Sequence, residues 1–135
     1  MTRLDLDAIS EIVGLLGRRI DAPTHYLPTF GWSDEFARPH VEVSSLYHYV
    51  VSERGQEIRR YKTVELGLLL FWIFTDVTSQ MAGEYEVSNR RVGDDSRRQR
   101  FVKQEELMGR LSQSWMLKLA GEHHDILIRH PFNDQ

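Results

Sequence analysis

The chain has 135 residues, of which 41% are hydrophobic, 27% charged and 10% aromatic; that balance suits one globular domain with its own core and excludes a disordered tail, a collagen-like fibre or a coiled-coil rod. No residue is a cysteine, which removes disulfide scaffolds, thiolate metal sites and thiol nucleophiles. The formal charge is −3, with ten acids against eight bases in residues 1–65 and ten against nine in residues 66–135, so the basic excess of a dedicated nucleic-acid binder is missing.

Leu6, Ile9, Val13, Leu16 and Ile20 follow the three-four spacing of one helical stripe and predict an N-terminal helix. Asp5 and Asp7 suit the positive end of its dipole, Gly14 and Gly17 weaken it, and Pro23 ends it. Asp21–Pro39 follows as the least regular segment, with Pro23, Pro28, Pro39 and Gly31. Its aromatic residues Tyr26, Phe30, Trp32 and Phe36 either cap the core or serve as anchors for a partner.

Three short strands are predicted next, at His40–Ser44, Tyr47–Glu53 and Gln56–Lys62, with a tight turn at Arg54-Gly55. Pairing Glu53 with Gln56 sets Val51 opposite Ile58 and Tyr49 opposite Arg60. A loop at Ser44–Leu46 sets Val43 opposite Tyr47 and Val41 opposite Tyr49. Alternation then gathers Val41, Val43, Tyr49, Val51 and Ile58 on a core face. It sends His40, Glu42, His48, Val50, Glu57, Arg59 and Tyr61 to the opposite one. On this register Glu42, His48 and Tyr61 make one cross-strand row, and His40, Val50 and Arg59 the next.

From Thr63 to about Asn89 the period is helical again, and Leu66 to Phe74 is apolar nearly all round, as in a buried central helix. Gly93-Asp94-Asp95-Ser96 is a turn with capping residues that opens a third helix through Leu111. Ser112 or Ser114 caps a fourth, which stops before Pro131. The expected fold is α+β: an N-terminal helix, a three-stranded antiparallel meander, then three helices packed on one sheet face.

Asp76 is the most unusual placement, a carboxylate within Phe71-Trp72-Ile73-Phe74-Thr75-Asp76-Val77. It is expected to be buried and structural, paired with a cation or several donors, because an unpaired buried charge is costly; the alternative is a general acid or base. The spacing of His123, His124 and His130 does not match helical metal-binding pairs, and His40 and His48 are not directly opposite, so no metal or other cofactor is expected. The basic run at residues 90–103 reads as a solvated helix start that supplies salt-bridge partners, or else as a contact for phosphates or an acidic protein. Phosphate-loop, dinucleotide, nucleophile-elbow and kinase signatures are absent. Met1–Asp7 carries three charges with no apolar segment after it, so no signal peptide is expected. The apolar run Leu68–Phe74 is short for a membrane span, and a cytoplasmic protein is expected.

Leu27-Pro28-Thr29-Phe30-Gly31, Arg38-Pro39-His40-Val41-Glu42-Val43, Tyr47-His48-Tyr49-Val50-Val51 and Glu53-Arg54-Gly55-Gln56-Glu57 resemble the immunity protein 63 family of bacterial polymorphic toxin systems. So do Trp72-Ile73-Phe74-Thr75-Asp76-Val77-Thr78, Arg97-Arg98, Phe101, Gln104, Leu107, Trp115 and His130-Pro131-Phe132. The resemblance implies one immunity-protein-like domain over residues 1–135, with no catalytic residues, that binds and neutralises a cognate toxin domain. It implies no nucleic-acid or membrane partner, and a monomer or weak homodimer. The other functions left open are a small cytosolic enzyme using Asp76 with the sheet histidines, and an adaptor or regulatory module. The surface expected to meet the partner is the outward sheet face, His40, Glu42, His48, Glu57, Arg59 and Tyr61, flanked by Trp32.

Overall fold

Strand alternation and turn chemistry account for most of the sheet. The computed structural model describes residues 3–135. Strands β1 (Thr29–Phe30), β2 (His40–Val43), β3 (Tyr47–Glu53) and β4 (Gln56–Thr63) form one sheet in the order β1-β2-β3-β4. The β2–β3 and β3–β4 pairs are antiparallel, as expected, but β1 runs parallel to β2. The sheet is therefore four-stranded and mixed rather than a three-stranded antiparallel meander. The extra strand is only two residues long and lies in the proline-rich segment, too short for alternation to show; Thr29 N–H donates to Pro39 O and Gly31 N–H to Val41 O.

Between β2 and β3 the register is the expected one, with Val41 opposite Tyr49 and Val43 opposite Tyr47. Between β3 and β4 it holds only at the turn. Glu53 pairs with Gln56 and Ser52 with Glu57, but the register then shifts at Val51/Ser52, so that Val51 faces Arg59 and Tyr49 faces Tyr61. Ile58 is the extra residue of a bulge, and one added residue moves every later side chain to the other face. Ile58, expected in the core, is 57% exposed. The turn itself uses left-handed backbone at Arg54 (φ 52°) and Gly55 (φ 78°), the pair of positive φ values that a two-residue hairpin loop requires.

The chain divides into two compact units, one through Phe74 and one from Thr75 onward. In the first, helix α1 (Leu6–Arg19) is capped by Asp5, whose side chain accepts from Ala8 N–H at 2.8 Å. It buries Ile9, Val13 and Gly17; a Cβ on Gly17 would stand 3.3 Å from a Leu27 methyl, so glycine lets that loop approach. Val41, Tyr47, Tyr49, Val50 and Val51 of the sheet are buried, as are Leu69, Phe71, Ile73 and Phe74 of helix α2 (Leu66–Ser88).

The second unit contains the rest of α2, helix α3 (Ser96–Leu111) and helix α4 (Gln113–Arg129). Val77, Ala82, Phe101, Leu107, Met108 and Leu119 are buried. Asp95 caps α3, Ser112 caps α4 through Trp115 N–H, and α4 stops at His130 before the proline. By length and composition α2 is also apolar enough to cross a membrane. The uninterrupted apolar run Leu68–Phe74 is shorter than the helix because Thr75, Asp76 and Thr78 follow it. Gln104 of α3 bonds to Thr75 and Thr78, as the polar positions of a core helix do.

The turn before α3 also grips the C-terminal segment. Arg97 donates to His130 O at 2.8 Å and Pro131 O at 3.0 Å, and Arg98 pairs with Asp134 at 2.6 Å while lying 4.1 Å from the Phe132 ring centre. Asn133 N–H donates to Asp95 and Asp95 N–H to Asp134. The Arg97 guanidinium, helped by the Asn133 and Arg97 N–H groups, holds the Asp95 carboxyl far below the usual carboxylate range. The expected salt-bridge role of the basic run is met here for Arg97 and Arg98, toward residues of the same chain. Gly93 closes the loop: its O accepts from Gln135 N–H at 2.7 Å, its φ is +89°, and a Cβ there would lie 2.9 Å from Gln135 O. Gly93→Ala is expected to cost roughly 1–2 kcal/mol from the left-handed backbone and to release residues 131–135. Faster amide exchange confined to that segment is the readout; unchanged exchange would contradict it.

Candidate binding surface

Adjacent antiparallel strands bring cross-strand partners onto one face, and here the register assembles charges. Glu42 faces His48, His48 faces Lys62, His40 faces Val50, and Val50 faces Arg60. Arg60 is the centre of the group. Its Nη1 donates to Glu42 Oε1 at 3.0 Å and to His48 Nδ1 at 2.9 Å, and its Nη2 donates to Glu57 Oε1 at 2.7 Å. His40 Nε2 donates to Glu42 Oε2 at 2.7 Å, and Ser44 Oγ lies 2.8 Å from His48 Nε2. His40 is 5% exposed, and its Nδ1 has no hydrogen-bond partner among the described residues.

Four of the expected contact residues, His40, Glu42, His48 and Glu57, are thus brought together. Arg59 and Tyr61 are not: the bulge turns them to the other face, where the Tyr61 ring lies 5.3 Å from Trp72 of α2 and Arg59 sits over Tyr61 at 5.4 Å. Arg60 takes the place assigned to Arg59. Trp32 lies outside the sheet on the loop after β1 and is 58% exposed.

The cluster's electrostatics follow from Arg60. Its hydrogen bond lowers the Glu42 carboxyl from its ordinary value against the opposing effect of burial, and lowers Glu57 likewise; the two carboxylates in turn hold Arg60 protonated. Burial, then the Arg60 charge, lowers the His48 imidazole from its ordinary 6.5. When the folded value is the lower one, the unfolded chain takes up the proton first, so stability is complete above the unfolded value and falls as the pH drops through and below it. Acidification is therefore expected to weaken the fold in two stages, first below 6.5 through His48 and then below 4.5 through Glu42 and Glu57. Urea midpoints measured from about pH 7.5 down to about pH 2.5 check both stages. His48→Gln should flatten the first stage alone, and an unchanged slope would contradict the assignment.

Asp76 is half-buried rather than enclosed. It lines a groove of ≈ 250 Å³ in the second unit with Thr75, Arg100, Gln104, Glu122 and His123. The groove wall is a polar relay. Gln104 Nε2 donates to Thr75 O at 3.0 Å, which turns its Oε1 toward His123 Nε2 at 3.1 Å; His123 Nδ1 lies 2.7 Å from Glu105 Oε2. Both ring nitrogens of His123 face acceptor oxygens, and the ring stacks on Phe101 at 3.9 Å and 6°. Among the described residues no group of three metal-ligating side chains comes together.

No curated protein and no solved structure matches the chain. The family model described as Immunity protein 63 matches residues 44–125, a span from the β2–β3 loop nearly to the end of α4. That match covers well over half of the sequence and includes His48, Glu57, Arg60, Asp76, Gln104 and His123. The chain belongs to the immunity protein 63 family.

Proposed function

We propose that the protein is a non-catalytic inhibitor of a bacterial polymorphic toxin system, which binds its cognate toxin domain in the cytoplasm and neutralises it. The observation that carries this reading is the family match over residues 44–125. The whole chain acts as one immunity-protein domain, monomeric or weakly dimeric, with no nucleic-acid or membrane partner. The proposed contact surface is the sheet cluster of Glu42, His48 and Glu57, with Arg60 in place of Arg59 and Tyr61, flanked by Trp32; His40, expected on that surface, is buried and orients Glu42 from beneath it. Its side chains are already fixed by mutual hydrogen bonds, which lowers the ordering cost of a specific contact.

The test is co-expression with the C-terminal domain of the large protein encoded beside this one. Growth rescue together with recovery of a 1:1 complex is the expected result. A toxic domain that this protein neither binds nor counters would refute the reading.

A further inference from the structure

Outside the sheet cluster, the loop between β1 and β2 holds the most exposed aromatic residue of the described chain. Phe36 is 84% exposed, although an apolar ring gains by leaving water. It is not on a loose segment. Its own N–H donates to Asp34 Oδ1 at 2.9 Å, and Glu35 N–H donates to Ser33 Oγ at 3.0 Å. Three further bonds tie the loop to the β3–β4 hairpin: Arg54 N–H to Glu35 O at 3.1 Å, Gly55 N–H to Glu35 Oε2 at 2.7 Å, and Ala37 N–H to Ser52 O at 3.1 Å. Phe36 itself bridges to Glu53 in the antiparallel sense.

The residues on either side of Phe36 are both left-handed without being glycine, Glu35 at φ 61° and Ala37 at φ 66°. Such backbone is unfavourable for residues with a Cβ and persists only where the surroundings enforce it. The hairpin bonds are that enforcement, and their result is a fixed backbone that presents the ring to solvent. Trp32, four residues earlier, is exposed on the same loop.

We infer that Phe36 is an anchor that inserts into an apolar pocket on the protein partner, with Trp32 beside it in the interface. This deepens the proposed function and rests on it, since the partner is the toxin domain. Interface energy concentrates in a few aromatic residues, and a backbone already fixed in place lowers the ordering cost of seating this one. The charges around it say what rims the pocket. Asp34, Glu35 and Glu53 stand against Arg38 and Arg54 on the loop and hairpin tip, and Arg38 is turned back onto the Leu27 and Thr24 carbonyls, so a pocket edged by lysine or arginine is the complementary surface.

The experiment uses the full chain and, as probe, the C-terminal domain encoded beside it, with affinity measured by calorimetry. Phe36→Ala is expected to weaken binding by about 30-fold or more and Trp32→Ala by a smaller factor, with circular dichroism and melting unchanged. Leu15→Ala, an exposed residue of α1, should bind as wild type. Affinity for Phe36→Ala within threefold of a tightly binding wild type would overturn the anchor while leaving the proposed function standing. Absence of wild-type binding would overturn both. Self-association of the wild-type chain that Phe36→Ala abolishes would put a second copy on the ring and overturn the toxin assignment of this surface.

Discussion

Replacing His123 by alanine is expected to destabilise the protein by about 3–5 kcal/mol, the range for truncating a buried ring. Two losses combine. The stack on Phe101 disappears, and Gln104 Oε1 and Glu105 Oε2 lose the ring nitrogens that now stand 3.1 Å and 2.7 Å away. Gln104 cannot compensate by flipping, because its amide nitrogen already serves Thr75 O and Thr78 Oγ1. His123→Phe separates the two contributions: it keeps a ring on Phe101 but removes the polar partner of Gln104 and Glu105, at about 1–3 kcal/mol. Urea unfolding of both variants is the measurement. A loss below about 1 kcal/mol for the alanine variant would mean that the relay is not holding α3 to α4.

Two phenylalanines make the second case, because the same substitution should act through different quantities. Phe74 is 0% exposed on α2, and Phe74→Ala is expected to cost about 3–5 kcal/mol. That is comparable with the whole stability of a small domain, which runs about 5–15 kcal/mol, so protection in cells should fall through lower abundance. Phe36→Ala should change stability by no more than about 0.5 kcal/mol, as surface substitutions do, while the anchor proposal assigns it a loss of affinity. Soluble protein and urea midpoint, measured beside growth rescue, distinguish the two. Equal losses of abundance in both variants would contradict the contrast.

How far the sequence determines these outcomes differs from element to element. The β2–β3 register was legible because a short loop and strict alternation leave one pairing that keeps Val41 and Val43 with Tyr49 and Tyr47. The starts of α3 and α4 were legible because capping residues, in Gly93–Ser96 and at Ser112 or Ser114, stand just before an apolar period; which of them caps, Asp95 and Ser112, is shown by the structure. The β3–β4 pairing was not. A bulge adds a residue without any compositional mark, and Ile58, being apolar, argued for the regular register that the backbone does not adopt. That single shift is why Arg59 and Tyr61 were assigned to the surface on which Arg60 sits. The parallel strand β1 escaped for another reason: two residues have no period. The role of His123 was not legible, because its partners Glu105 and Gln104 lie 18 and 19 positions away, where no local pattern connects them.

The bulge also bears on how chains of this family can diverge. A residue gained or lost inside a strand normally inverts everything beyond it, so insertions and deletions in strands are purged. Ile58 is an exception. With it removed, Glu57 and Arg59 become neighbours, and each keeps the partner it already has, Ser52 and Val51. Arg60 then stays with Glu42, and Tyr61 with Trp72. The β4 strand therefore holds one position where evolution can change its length without scrambling either face, and homologues one residue shorter in this hairpin are expected to align with their gap at Ile58.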